Sequence, residues 1–277
     1  MTPKDSSDPL TLGTFLLLRD LIRDRLGVSY DEDKRDLLAN KLSDRVASLG
    51  LHSFLDYYYR LKYGADHDEW LQVTDALSVQ ETYFWREMDQ IESLVNVLLP
   101  QHLEAGRGPV RIWSAACATG EEPLSLAMAL NEAGWFLRTP IEISASDVSP
   151  AALEKAARGV YRSRSFRALP VALREKYFTP TQDGYLIDPA LKARVRFQRA
   201  NLLEPQETAA LETAHFIFCR NVFIYFSQGT IKQVVRRFAE RMPRPAYLYV
   251  GVSESLLRIA SEFELEQVGD AFVYVRK

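Results

Sequence analysis

Residues 111–130, RIWSAACATGEEPLSLAMAL, carry a short apolar run into a lone glycine and out into an amphipathic stretch. Val110, Ile112 and Trp113 read as a buried parallel strand, because a brief β-branched and aromatic run bounded by small residues suits a sheet covered on both faces. The strand is expected to stop at Ser114. Small side chains at Ala115, Ala116, Cys117 and Ala118 let another molecule approach the backbone, and Thr119 with Gly120 turns the chain into a helix. Pro123 takes a favoured first-turn position, and from Leu124 the apolar residues Leu126, Ala127, Leu130 and Ala133 recur at helical spacing. Strand, tight turn and helix form the first half of a βαβ nucleotide-binding unit.

This turn is not a dinucleotide fingerprint. That motif has three glycines so that backbone amides can cradle a pyrophosphate, whereas here one glycine is followed by two carboxylates, Glu121 and Glu122. Two acids repel a phosphate and suit a ligand with an adenosine part, no phosphate and a cationic group, which describes S-adenosylmethionine. Taken alone, the same glutamates would equally complement the helix dipole, at roughly 0.3–1 kcal/mol each. The next stretch tips the balance. Residues 141–146, IEISAS, read as a second strand that delivers Asp147 at its carboxyl end and leads into a helix start at Ser149 and Pro150. An acid at that tip is where a Rossmann-type fold holds ribose hydroxyls, helix capping being the other reading.

Composition sets independent bounds. A chain of 277 residues that is 47% hydrophobic can build one large domain or two unequal ones with real cores. A net charge of −3 argues against general nucleic-acid binding. Cys117 and Cys219 show no ligand spacing and suggest no disulfide framework, so a reducing cytoplasm is expected. The histidines, His52, His67, His102 and His215, form no metal signature. The polar start, MTPKDSSDPL, does not read as a signal peptide, and no stretch reads as a membrane span.

Four stretches together, ETYFWRE (81–87), SAACATGEEP (114–123), SDVSPAALEKAARGVY (146–161) and FCRNVFIYF (218–226), resemble the chemotaxis receptor methyltransferases of the CheR family. The resemblance runs from about residue 15 to the C-terminus. Gln80 stands where asparagine is usual, Trp85 replaces phenylalanine, and Val252 replaces histidine in the GVSES segment. The fold this implies is α/β: a doubly wound, Rossmann-like S-adenosylmethionine-dependent methyltransferase domain (81–277) with a small inserted antiparallel β-subdomain at about 174–199, preceded by an all-helical N-terminal domain (1–80). The implied reaction is methyl transfer to glutamate side chains of a methyl-accepting chemotaxis receptor, leaving S-adenosylhomocysteine. Alternatives are a regulatory module that keeps the cofactor, or a different protein substrate. Carried over from the resemblance, the donor site comprises Gln80, Thr82, Arg86, Glu121, Asp147, Asn201, Leu202, Arg220 and Asn221. Arg86 and Tyr225 are the catalytic pair, Tyr225 positioning the methyl group or the substrate carboxylate. A monomer in the cytoplasm, meeting the helical bundle of a receptor without entering the membrane, completes the implied picture.

Taken in order, apolar spacing predicts helices over 15–26, 30–49, 53–63 and 69–78, the first two stopping at Gly27 and Gly50. Lys34, Lys41 and Arg45 fall at i, i+7 and i+11, on one face of the second helix. Interleaved acids make a solvated face the plain reading; the family resemblance implies that this face reads acidic receptor helices. Tyr83, Phe84 and Trp85 read as core between the two domains. A helix is expected over 91–103. Beyond Tyr161 the arginine-rich RSRSFRALPVALREKYF could form a basic lip facing an acidic substrate. Residues 177–178, 185–187 and 195–198 read as three short antiparallel strands with a hairpin signal at Asp183 and Gly184. The inserted subdomain of some family members docks a C-terminal receptor peptide, and the compact TPTQDG connection speaks against that here. Residues 216–226 read as one apolar strand interrupted by Cys219, Arg220 and Asn221, 231–242 as a helix, and 247–250 with 271–275 as a closing antiparallel edge pair.

Overall fold

The computed structural model describes residues 9–64 and 66–277, so the polar segment 1–8 lies outside the described residues. Contacts divide the chain into two compact units, one running to Val79 and joined by Tyr225–Ser227, the other made of Gln80–Ile224 and Gln228–Lys277.

The smaller unit is helical. Helix α1 (Leu12–Leu26) begins where Thr11 accepts the Thr14 N–H and ends at Gly27, whose φ of 80° is the left-handed conformation glycine adopts without a Cβ penalty. Phe15, Leu18 and Ile22, at helical spacing, are fully buried. The second expected helix starts later than its periodicity suggests: Val28 pairs with Phe226 in an isolated bridge, Glu32–Lys34 form a 3-10 turn, and α2 (Arg35–Ser48) follows. Helices α3 (Phe54–Tyr63) and α4 (His67–Leu77) carry Ser53 and Asp66 as their N-caps.

The basic face expected on the second helix does not form as such. Lys34 lies in the 3-10 turn, 3.9 Å from Asp31. Lys41 Nζ donates to the carbonyls of Ala76 and Leu77 at 3.3 and 3.2 Å, closing the C-terminal end of α4, and burial pushes its ammonium below the ordinary lysine value. Arg45 grips the buried Glu69 with two nitrogens, at 3.1 and 2.5 Å, while the Tyr57 hydroxyl donates to the same carboxylate. Two of the three cations therefore hold the unit together from within.

In the larger unit α5 (Met88–Ser93), a π-helical turn (Leu94–Leu98) and α6 (Leu99–Glu104) run on as the helix expected here, starting three residues earlier. The sheet strands are β1 (Val110–Ala115), β2 (Ile141–Asp147), β6 (Val195–Arg199), β7 (Phe216–Phe218), β8 (Ala246–Tyr249), β9 (Glu264–Val268) and β10 (Ala271–Arg276), in the order β6-β2-β1-β7-β8-β10-β9. Neighbours from β6 to β8 are parallel, and β10 is antiparallel to both β8 and β9. Val110, Ile112 and Trp113 are buried as the sequence suggests, with the strand running one residue past Ser114. The helices between these strands are α7 (Glu121–Glu132), α8 (Pro150–Arg158), α9 (Val171–Tyr177), α10 (Pro189–Lys192), α11 (Pro205–Thr208) and α12 (Gln228–Arg241). This is a doubly wound sheet with its strand order reversing about β1.

A separate sheet joins β3 (Val160–Tyr161), β4 (Phe178–Thr181) and β5 (Gly184–Ile187) in the order β3-β5-β4. The inserted subdomain thus spans 160–187 rather than 174–199. Val195–Arg199 does not belong to it, because that strand pairs in parallel with β2, from Ile143 opposite Val195 to Asp147 opposite Arg199. Phe84 is fully buried against Tyr161, Phe166 and Phe178, ring centroids 4.7, 5.5 and 5.0 Å away, which makes it core of the larger unit itself rather than filling between two domains. The run 216–226 is not one strand: β7 ends at Phe218, Asn221 turns through a left-handed φ of 59°, and Phe223–Tyr225 form a 3-10 turn.

At the opposite end of β1, the rings of His215 and His102 meet edge to face at 4.9 Å, and His215 Nδ1 accepts the Arg111 N–H. Burial, then Arg111, His102 and Arg107, depress the His215 imidazole to about 4; burial lowers His102 as well. A base whose folded pKa lies below its unfolded 6.5 favours the native state while neutral, so this stability is complete above pH 6.5 and is lost as pH falls from there toward 4. Allowing for partial solvent access, His215 should contribute about 1–2 kcal/mol. Urea unfolding at pH 7 and pH 4.5 is expected to show a smaller acid-induced loss in His215→Gln than in the unsubstituted chain.

Candidate active site

Five pieces of the larger unit meet at the carboxyl ends of four adjacent parallel strands. After β1 the loop puts Ala116, Ala118 and Gly120 at φ of 56°, 48° and 93°. Left-handed backbone costs an alanine roughly 1–2 kcal/mol, and such outliers concentrate where function over-determines the backbone. At Gly120 a Cβ would also come within 3.0 Å of the Ala156 Cβ and 3.1 Å of the Phe197 ring, so glycine is needed twice over. Cys117 Sγ is fully enclosed and burial pushes the thiol well up, which makes it packing rather than a nucleophile.

Asp147, at the tip of β2 and 8% exposed, holds this loop in place. One carboxylate oxygen accepts the Ala118 N–H at 2.8 Å and the other the Ser149 N–H at 2.9 Å. Asn201 and Leu202 follow β6 after Ala200. The Asn201 N–H donates to Glu207 at 2.7 Å, and the Leu202 carbonyl accepts from Arg237, itself paired with Glu212 at 2.7 Å.

The two first-turn glutamates part company. Glu122 accepts from Ser114 Oγ at 2.5 Å and pairs with Arg220 Nε at 2.6 Å, so its charge is compensated. Glu121, 2% exposed, accepts from Thr119 Oγ1 at 2.6 Å and Ser165 Oγ at 2.9 Å, and burial raises its carboxyl above the usual range. The expectation of two equivalent acids repelling a phosphate is corrected accordingly, since one of them is already neutralised from within.

Arg220 also donates to the carbonyls of Arg86 and Glu87 and to Gln90 Oε1, at 3.0, 3.2 and 3.1 Å. It ties the 80–87 segment to the end of β7 and is 2% exposed at its side chain. Within that segment Gln80 spans Ser149 Oγ and Lys155 Nζ, at 3.4 and 2.6 Å. Thr82 is half-buried, and Arg86 lies 3.6 Å from Glu87 and over the Tyr83 ring. Asn221 depends on a residue to which the sequence analysis gives no role. Glu254, in GVSES, accepts the N–H groups of Gly251, Asn221 and Ile224 at 2.6, 2.8 and 3.2 Å. A Cβ at Gly251 would fall 2.4 Å from Asn221 Nδ2. An acid three residues beyond a glycine was the available signal. Tyr225 groups with the helical unit, where it neighbours Tyr30, whose hydroxyl is pushed up to about 12 by burial and by Tyr225.

The loop and strand tips fit an adenosyl ligand without phosphates: small side chains flank the turn, Asp147 offers acceptors at the ribose position, and Glu121 supplies an acid that suits a cation. Fold and site together define an S-adenosylmethionine-dependent methyltransferase. Comparison with known proteins narrows this. The family described as "CheR methyltransferase, SAM binding domain" matches residues 80–272, and "CheR methyltransferase, all-alpha domain" matches 13–78. The chain belongs to the CheR methyltransferase family. Among its relatives, chemotaxis protein methyltransferase 2 of Vibrio cholerae serotype O1 is 36% identical over 257 residues, covering 91% of this chain and 89% of that protein. The chemotaxis protein methyltransferase of Klebsiella aerogenes is 34% identical over 261 residues, 93% and 88% respectively. Cher2 of Pseudomonas putida is 30% identical over 273 residues, 95% and 98% respectively.

Proposed function

We propose that the chain methylates glutamate side chains on the cytoplasmic helical bundle of a methyl-accepting chemotaxis receptor, forming glutamate methyl esters. The observation that carries this is the convergence of the Ala116–Gly120 turn, Asp147, Asn201 and Asn221 on one strand-end crevice in a chain related throughout its length to chemotaxis methyltransferases. S-adenosylmethionine supplies an electrophilic methyl group on a sulfonium. Asp147 and Asn201 bind its adenosine end, Glu121 faces its cationic part, and Gln80, Thr82 and Arg86 close over it. Leu202 lies beside the adenine, Asn221 orients the donor, and Arg220 holds Arg86 and Glu87 in register from behind. Tyr225 positions the methyl group or the acceptor carboxylate.

An acceptor glutamate titrates near 4.3 when unperturbed, so at neutral pH it is already the attacking anion and needs no base. Catalysis then rests on alignment, for which effective molarities reach about 10⁵–10⁸ M in well-oriented systems. The single-turnover rate at saturating donor is accordingly expected to be nearly flat between roughly pH 6.5 and 8.5; a tenfold rise per pH unit would show that a proton must be removed. Tritium transferred from labelled donor into receptor-containing membranes and released by base as methanol tests the function itself. Label that resists base would exclude an ester product. The enzyme proposed here works as a cytoplasmic monomer; among the described residues no helix is long and apolar enough to cross a membrane.

A further inference from the structure

We propose that the exposed arginines of residues 162–167 form a positive rim that draws an acidic protein segment toward the donor loop. This deepens the function proposed above and rests on it, since it names the feature of the acceptor that the site reads. Arg162, Arg164 and Arg167 are all exposed. Arg167 stacks its guanidinium on the Tyr83 ring at 3.8 Å and lies 3.5 Å from Glu81. Among the described residues, Arg162 and Arg164 are exposed and in no ion pair, so two full charges face solvent.

The rim is built into the site. Ser165 Oγ donates to Glu121, and the Ser165 carbonyl accepts the Phe84 N–H at 2.9 Å. Tyr161, just before the turn, donates its hydroxyl to the Thr119 carbonyl at 2.9 Å, and Phe166 stacks on buried Phe84. These contacts fix the turn relative to the donor loop, so the charges it carries stay near the site while the arginine side chains remain mobile. Arg164 is near enough to favour the charged form of Glu121.

Electrostatics supplies the need. Glu121 and Asp147 give the crevice a negative floor, suited to a sulfonium and hostile to an incoming carboxylate. An acceptor rich in glutamate must pass that field, and a fixed positive rim at the mouth offsets it and raises the encounter rate. In the helical unit Arg45 spends its charge on Glu69, and Lys41 has its ammonium directed at the carbonyls of Ala76 and Leu77.

The test uses the full chain with receptor-containing membranes and three proteins: unsubstituted, Arg162→Ser/Arg164→Ser, and Arg162→Lys/Arg164→Lys. The serine pair is expected to lower kcat/KM for the receptor about tenfold at low salt, with a shallower salt dependence than the unsubstituted chain. Calorimetric affinity for S-adenosylhomocysteine should stay within about twofold, which also reports folding, and the lysine pair should keep most of the rate because a diffuse field needs charge rather than a guanidinium fork. Receptor methylation by the serine pair at the unsubstituted rate, or a loss matched by lost S-adenosylhomocysteine affinity, would overturn the proposal. If the unsubstituted chain binds S-adenosylhomocysteine yet transfers no methyl group to the receptor, the function proposed above falls, and the rim with it.

Discussion

Arg220→Met is expected to destabilise the larger unit by about 3–5 kcal/mol, the range for removing one partner of a buried ion pair. The guanidinium is 2% exposed and sits between Glu122 at 2.6 Å and Glu87 at 3.7 Å, each carboxylate only 11% exposed. Without it both acids stay buried, and the carbonyls of Arg86 and Glu87 lose their donors. Glu87 Oε2 has no hydrogen-bond partner even in the intact structure, and Arg220 at 3.7 Å shares the compensation of this carboxylate with Arg86 at 3.6 Å. The double substitution Arg220→Met/Glu122→Met removes the pair as a unit and should recover part of the loss, since exchanging a whole buried pair for apolar groups is often close to neutral. Urea unfolding of the three proteins measures this. A loss below about 1 kcal/mol for Arg220→Met would mean that water compensates the two acids.

The same strut explains why sequence pattern reads some of this molecule and misreads the rest. The turn after β1 and the acid after β2 are local: a short apolar run, small residues and a helix start lie within twenty positions, and each fixes the next. Arg220 does not announce itself that way, because its partners Glu122 and Gln90 stand 98 and 130 residues away. Strand partners are equally non-local. Val195–Arg199 follows a hairpin closely and alternates apolar and polar residues over Val195–Gln198 like a strand of that hairpin, yet it crosses to the main sheet. Glu264–Val268 is so polar, being the outermost strand with one buried residue, that no apolar pattern marks it. Helical periodicity correctly puts Lys41 and Arg45 near one face, but it cannot show that they are engaged by residues 35 and 24 positions further on. Asn221 reads as part of a strand because apolar neighbours outweigh it, whereas it takes a left-handed turn that asparagine tolerates and whose N–H the distant Glu254 carboxylate accepts.

Asp147 carries the largest expected effect on the donor. Its two oxygens each accept a backbone N–H, from Ala118 and from Ser149, so it fixes the left-handed loop around it, and in the function proposed above it also meets the donor's ribose. Asp147→Ala removes that proposed contact and releases two N–H groups, each costing about 1–3 kcal/mol if left unpaired, although water will reach part of the loop. S-adenosylhomocysteine affinity should therefore fall by about 2–4 kcal/mol, roughly 30- to 1,000-fold. Asp147→Asn separates the two roles. Its remaining carbonyl oxygen can keep one N–H, but its amide nitrogen must face the other N–H donor to donor, so the loop is loosened while the side chain keeps its size. If loop fixation dominates, Asn should lose nearly as much affinity as Ala; if ribose contact dominates, Asn should recover most of it. Calorimetry on both folded variants decides, and unchanged affinity in Asp147→Ala would remove Asp147 from the site.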